Sequence, residues 1–196
     1  GVTSTSLTRS GLKPLIRKAV IGMMVVGCTG GPVRLAGAAD PAPPEYQVKA
    51  AFLYQFVKFV EWPSQAFRSG HNQVVIGVLG EGPMGRALAA VQGKTAKGRV
   101  VAVERYKTVA ELDYCHVLFI SSSMDDQLPA ILKRMKGWSA LTVGDVEGSA
   151  RRGVMINFIT VEDTIRFEVN MEAAKRANLR IGSELLGLAQ AVHGVP

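Results

Sequence analysis

The sequence predicts an α/β fold, a three-layer domain with a mixed sheet of about six strands. Short, nearly continuous apolar runs alternate with helical segments, as in βαβ units whose strands are buried on both faces. The last two strand segments are joined only by Glu162 and Asp163, a connection too short for a parallel crossover. We therefore expect the first four strands to be parallel and the last two to form an antiparallel hairpin.

Residues 1–39 have the pattern of a secretory signal peptide. Basic residues precede a short apolar run, Ala19–Val26, and small residues follow it up to a cleavage site at Ala36–Ala38. The run is shorter than the roughly 20 residues that span a bilayer. A second candidate site, Val25–Cys28, resembles a lipobox and would anchor the chain through Cys28. We favour the ordinary cleavage site, with residues 40–45 forming a proline-rich linker.

Most of the positive charge belongs to this leading segment. The whole chain has 23 basic and 16 acidic residues, but five basic and no acidic residues precede Asp40. The remainder therefore carries 18 minus 16, or +2. Such a balance does not indicate nucleic-acid binding, which favours a strongly basic surface. Residues 46–193 are enough for one domain with its own core.

An aromatic helix at Tyr46–Trp62 opens that domain. Pro63 disfavours the helical conformation at Trp62, so the helix should end there. Its wide apolar face must be covered, and packing against the sheet is the simplest covering. We expect burial of Phe52, Phe56 and Phe59, whereas Gln55, Lys58 and Glu61 should face water or a second subunit.

The remaining elements follow from apolar runs, helical periodicity and turn residues. Strands are predicted at 74–79, 100–103, 116–120, 140–143, 153–161 and 164–169. Helices are predicted at 83–91, 108–112, 125–135, 171–177 and 183–192.

A glycine motif follows the first of these strands. Gly80, Gly82 and Gly85 match the G-x-G-x-x-G pattern of dinucleotide-binding folds, and Glu104 ends the next strand where such folds hold a ribose. This pattern defines one alternative function, a nucleotide-binding enzyme. The export signal favours the other interpretation, an ordinary strand-to-helix turn.

Other constellations do not indicate a catalytic or metal site. His71, His116 and His193 lack metal-ligand spacing, and Ser121–Ser123 lack the glycines of a nucleophile elbow. We expect no cofactor. Ser121 and Asp145 follow strands, where open α/β sheets often bind ligands, so a small-solute receptor is a second alternative.

Several motifs together resemble the YfiR/HmsC-like family of exported bacterial proteins. The resemblance covers Val48 to about Ala189. Its motifs are Val48–Pro63, Val78–Gly80, Pro83–Gly85, Cys115–Ser121, Leu141–Asp145, Met155–Phe158, Arg166–Asn170, Leu179–Ser183 and Leu185–Leu186.

The resemblance implies a periplasmic protein with a Rossmann-like fold and no enzymatic activity. It further implies binding to the periplasmic domain of an inner-membrane diguanylate cyclase, or of a sensor kinase. Repression of such a cyclase would lower cyclic-di-GMP and restrain biofilm formation. Homodimerisation is a further expectation. Candidate partner contacts are Lys58, Glu61, Asp145, Arg151 and Arg152. The last three belong to a glycine-rich loop, which is typical both of functional loops and of loops that only face solvent. From the residues alone we favour the second interpretation for the two arginines.

The cysteines depart from the pattern implied by the resemblance. Some relatives carry a cysteine where this chain has Gly77, and a pair in the loop that matches Val146–Arg152. Cys115 is retained without either partner. Redox regulation through internal disulfides is therefore not expected in this chain.

Overall fold

The computed structural model describes residues 40–67 and 72–194. The predicted signal peptide, both candidate cleavage sites and His71 lie outside these ranges. Within them, no helix combines the length and the apolar character needed to cross a bilayer.

The described part of the chain forms short helices and strands in alternation. The α-helices are α1 Pro44–Phe59, α2 Met84–Ala87, α3 Leu128–Arg134, α4 Met171–Arg176 and α5 Ser183–Leu186. The strands are β1 Val60–Glu61, β2 Gln73–Leu79, β3 Thr95–Ala96, β4 Arg99–Tyr106, β5 Val117–Ile120, β6 Leu141–Gly144, β7 Ile156–Val161, β8 Thr164–Asn170, β9 Arg180–Ile181 and β10 Ala191–His193. Single 3₁₀ segments occupy Ser64–Ala66, Leu88–Ala90, Val109–Glu111 and Ser122–Gln127.

Eight strands form one mixed sheet in the order β10-β8-β7-β6-β5-β2-β4-β3. The strands β4, β2, β5, β6 and β7 are mutually parallel, which confirms the predicted parallel set. Because β4 and β5 flank β2 on opposite sides, the chain reverses its direction of winding there, as in doubly wound folds. The mixed α/β fold is thus confirmed, and the three-layer arrangement stays a prediction.

The predicted hairpin is present as β7 and β8, paired from Ile156–Val169 to Val161–Thr164. Glu162 and Asp163 have φ values of 47° and 58°. A two-residue connection with positive φ at both positions is the turn whose twist matches an antiparallel pair. The acidic pair was therefore a usable turn signal despite lacking glycine.

Short strands at the edges account for the difference between six predicted and eight observed strands. Thr95–Ala96 pairs antiparallel with the start of β4, and Ala191–His193 pairs parallel with β8. The predicted helix at 183–192 is therefore wrong beyond Leu186. The Gln190 N–H donates to the Phe167 carbonyl, which ties this segment to the sheet.

The ends of α1 also differ from the prediction. The helix ends at Phe59 rather than at Trp62, because Val60 and Glu61 pair with Ile181 and Arg180 in a separate two-stranded sheet. It begins at Pro44, inside the predicted linker, since a proline suits the first turn of a helix.

Aromatic packing holds α1 against the β7–β8 hairpin. The Phe56 ring centroid lies 5.3 Å from that of Phe167 and 5.8 Å from that of Phe158. Phe56 is completely buried, as are its neighbours Leu53 and Val57 to within a few per cent. Phe52 and Phe59 are only half-buried, although both contact the same core. The expected burial is confirmed fully for Phe56 and partly for the other two.

The three polar positions expected to face water or a second subunit are largely exposed. Gln55 and Glu61 are exposed. Lys58 is half-buried because its Nζ atom lies 4.3 Å from the centroid of the Tyr54 ring.

Phe56→Ala should destabilise the domain by about 3–5 kcal/mol, since it removes a fully buried ring and leaves a cavity between α1 and the hairpin. Urea unfolding monitored by circular dichroism measures the free energy of unfolding. Gln55→Ala, one position away on the same helix but exposed, should change it by less than about 0.5 kcal/mol. Equal effects of the two substitutions would contradict this packing.

Candidate functional site

A buried lysine of α1 is the centre of a charged cluster that joins this helix to the end of β6. Lys49 is only 4% exposed. Its Nζ atom lies 3.0 Å from Asp145 Oδ2 and 2.5 Å from Glu45 Oε1. Asp145 directly follows Gly144, the last residue of β6. The first turns of α1 therefore cover the carboxyl end of this central strand.

Tyr46 completes the cluster from the same helix. Its hydroxyl donates to Asp145 Oδ2 at 3.1 Å, and its ring centroid lies 4.6 Å from Lys49 Nζ. Asp145 Oδ1 is buried and receives no hydrogen bond within the described residues. The carboxylate therefore has both its protein partners, Lys49 and Tyr46, on one oxygen.

The environment keeps Lys49 charged. Burial lowers the pKa of its ammonium group, but hydrogen bonds and charge attraction from Glu45 and Asp145 more than offset this and raise the pKa above the usual value. Burial and the neighbouring Asp145 charge raise the pKa of the Tyr46 hydroxyl. At neutral pH Lys49 is therefore an ammonium ion and Tyr46 a neutral phenol.

A cavity of about 520 Å³ opens next to this cluster. Besides Glu45, Lys49 and Asp145, it is lined by Glu147, Arg151 and Glu168. Four carboxylates and two cations therefore surround it. Such a surface can form ion pairs and hydrogen bonds with a partner molecule.

The structure brings together only two of the five predicted partner contacts. Asp145 and Arg151 both line this cavity. Arg152 turns away and pairs with Asp125 at 2.7 Å, while Glu61 lies 3.9 Å from Arg180 in the small sheet. Lys58 lies over Tyr54 on α1. The predicted set thus occupies separate regions of the domain, and its role in partner binding stays a prediction.

Sequence reasoning missed Lys49, Glu45 and Tyr46. A signal was available, because Glu45 and Lys49 are four residues apart and face the same side of a helix. Lys49 also precedes Phe56 by seven residues, or two helical turns, so burial of Phe56 brings Lys49 to the sheet as well.

Packing contacts account for two glycines of the motif, Gly80 and Gly85. A methyl group on Gly80 would lie 2.4 Å from Met124 Cγ and 2.7 Å from Ser123 Oγ, and φ at this residue is +90°. Ser123 Oγ accepts from the Glu81 N–H at 3.0 Å and donates to the Glu81 carbonyl at 3.2 Å. The side chains of Met124 and Ser123 thus lie against the turn after β2, where the chain reverses its direction of winding.

The other members of the motif have contacts of their own. A methyl group on Gly85 would lie 2.7 Å from Arg105 Nε, and Glu104 accepts from the Tyr106 hydroxyl. A methyl group on Gly82 would have Ser121 Oγ at 4.0 Å. These contacts favour the turn interpretation, and nucleotide binding stays a prediction. In the described ranges no group of three or more His, Cys, Asp or Glu residues is placed to hold a metal ion.

Comparison with known proteins identifies the family. Residues 46–190 match the YfiR/HmsC-like family, which is most of the chain. The chain belongs to the YfiR/HmsC-like family. Proteins of this family are periplasmic regulators. The resemblance inferred from the motifs between Val48 and Ala189 is therefore confirmed.

No protein of curated function matches this YfiR/HmsC-like chain. Among solved structures, it is similar to the ABC domain in complex with L-Trp from Streptococcus pneumoniae, at 10% identity and a TM-score of 0.44, over 61% of this chain and 55% of that one. It is also similar to a conserved domain protein from Vibrio cholerae O1 biovar El Tor, at 11% identity and a TM-score of 0.49, over 77% and 60% of the two chains. The chain thus spans well under two thirds of either structure's length.

Cys115 lies in the core beside Gly77. It is completely buried and free. A methyl group on Gly77 would lie 3.2 Å from its Sγ atom. Burial raises the pKa of the Cys115 thiol to about 12, so the reactive thiolate is scarce at neutral pH. In this family member Cys115 is a packing residue.

Lys49→Met should destabilise the domain by about 3–5 kcal/mol, because it leaves the Asp145 carboxylate buried without its cation. Adding Asp145→Leu should recover much of that loss, since the unpaired charge is then removed. Denaturant unfolding at pH 7 measures both changes. Lys107→Met, at an exposed lysine, is the matched control and should have little effect. A loss for Lys49→Met no larger than that of the control would show that the pair is unimportant.

Proposed function

We propose that this protein is exported to the periplasm, where it binds the periplasmic domain of a membrane-bound diguanylate cyclase and represses the enzyme. Lower cyclase output would reduce cyclic-di-GMP and biofilm formation. The observation that carries this proposal is the family match over residues 46–190. The pattern of the first 39 residues, typical of a signal peptide, supports export.

The Lys49–Asp145 cavity supports action by contact. Its central ion pair, Lys49–Asp145, joins α1 to the end of β6 and is already formed in the free protein. Preorganised charged groups lose little entropy on binding, which favours recognition of a partner. Exposed Glu45 and Arg151 present charges of both signs at its border.

Repression by binding requires a difference in affinity. A regulator shifts a cyclase towards its inactive state only if it binds that state more tightly than the active one. We infer that the cavity and its surroundings complement the inactive arrangement of the periplasmic domain. The free energy of repression is then the difference between the two binding free energies.

The decisive experiment is a binding measurement with the periplasmic domain of a membrane-bound diguanylate cyclase from the same organism, with that of a sensor kinase measured in parallel. We expect a saturable complex by calorimetry. Arg151→Glu should weaken it about tenfold, or about 1.4 kcal/mol, because it reverses a charge at the cavity. Lys107→Glu makes the same charge change at an exposed site away from the cavity residues and should leave affinity unchanged. Absence of any complex with the unaltered protein would refute the proposed function.

A further inference from the structure

A second concave surface lies between the end of α3 and α4. We call it the α3–α4 groove; its volume is about 760 Å³. Ala140 and Met155, which directly precede β6 and β7, form part of its floor. Because these two strands are parallel, both amino ends lie on the same side of the sheet. Asp145 follows the carboxyl end of β6 and therefore lies on the opposite side. The groove is therefore distinct from the Lys49–Asp145 cavity.

The floor of the α3–α4 groove is apolar. Leu132, Met135, Trp138 and Met155 line it, together with small residues of α4. Met135 is 6% and Met155 is 8% exposed, so these side chains lie deep in the groove rather than projecting from the surface. Methionine side chains are flexible and polarizable, and they adapt to apolar groups of different shape.

The rim of the groove carries positive charge. Lys133, Lys136, Arg152 and Arg176 line it, and no carboxylate does. Arg152 and Arg176 form ion pairs with Asp125 and Glu172. Lys133 and Lys136 are exposed and form no ion pair within the described residues.

This concentration of charge is a local feature. From Asp40 onward the sequence has 18 basic and 16 acidic residues, a surplus of only two. Lys133 and Lys136, next to an apolar groove, would complement a partner segment in which carboxylates flank an apolar side chain. Charge complementarity of this kind sets which partners bind and how fast they associate.

We propose that the α3–α4 groove docks an acidic amphipathic segment of the protein partner. A large apolar side chain of that segment lies over Met135 and Met155, and neighbouring carboxylates pair with Lys133 and Lys136. An amphipathic helix laid in a hydrophobic groove is a recurrent mode of peptide recognition. This inference rests on the proposed function and adds the chemistry of one partner segment.

The shape of the groove favours a protein segment over a membrane surface. Proteins that lie on a bilayer insert projecting apolar groups between the headgroups. Here the two methionines are more than nine-tenths buried within a concave surface. A single inserted side chain reaches them, whereas a flat lipid surface does not.

The test repeats the calorimetric titration with the same periplasmic sensor domain and a Lys133→Glu/Lys136→Glu variant. Both lysines are exposed, so the variant should fold, and its thermal unfolding verifies this. We expect its affinity to fall by about tenfold to a hundredfold, with a weaker dependence on salt than the unaltered protein shows. Arg86→Glu/Lys107→Glu reverses the same number of exposed charges at residues that line neither the cavity nor the groove, and this variant should bind normally.

Each outcome has one meaning. Normal binding by Lys133→Glu/Lys136→Glu, alongside a complex with the unaltered protein, overturns the docking inference and leaves the proposed function intact. No complex with the unaltered protein overturns both. If instead the unaltered protein binds vesicles containing phosphatidylglycerol and the double variant does not, the groove serves a membrane and the inference is wrong.

Discussion

The stacking of α1 on the β7–β8 hairpin is the contact on which the rest of this structure depends. Phe56 meets Phe158 and Phe167 with ring centroids within 6 Å, and no part of Phe56 reaches solvent. Lys49 is two helical turns earlier on the same face, so the same packing brings its charge under the helix. A buried ammonium is tolerated only with a counter-charge, and Asp145 at the end of β6 supplies it.

The helix α1 therefore supplies both the aromatic packing through Phe56 and the ion pair of the candidate site through Lys49. A buried ion pair contributes little net stability, because removing two charges from water offsets their attraction. It does penalise other positions of α1, which would leave Lys49 or Asp145 buried alone. The pair therefore favours one placement of the helix, and that placement forms the cavity with Glu147 and Arg151. The α3–α4 groove lies at the amino ends of β6 and β7 and is built from different elements, so it does not depend on the placement of α1.

The main sheet could be predicted because its strands are encoded locally. Apolar runs such as Val74–Leu79 can be buried on both faces only in a central strand, and Glu162–Asp163 permits only a hairpin. The segments at 95–96, 180–181 and 191–193 are two or three residues long. They are strands only because a neighbouring strand pairs with them, and the local sequence pattern does not show that pairing. For the same reason the helix predicted at 183–192 ends early, where Gln190 bonds to Phe167.

The candidate site could be predicted only in part. Asp145 and Arg151 were recognisable as charges in a loop after a strand, whereas Lys49 was hidden in a helix whose aromatics suggested packing alone. Its role follows from the seven-residue spacing to Phe56 together with the position of Asp145, 96 residues away in the chain. The α3–α4 groove joins residues from two helices and a loop, so it required the tertiary arrangement.

The central claim is repression of a cyclase through its periplasmic domain. Its most direct test measures cyclic-di-GMP in cells that carry a membrane-bound diguanylate cyclase from the same organism, with and without export of this protein. We predict a lower nucleotide level with the protein present, and loss of that effect when the periplasmic domain of the cyclase is replaced by an unrelated one. An unchanged level, or an equal fall with the replaced domain, would contradict the account.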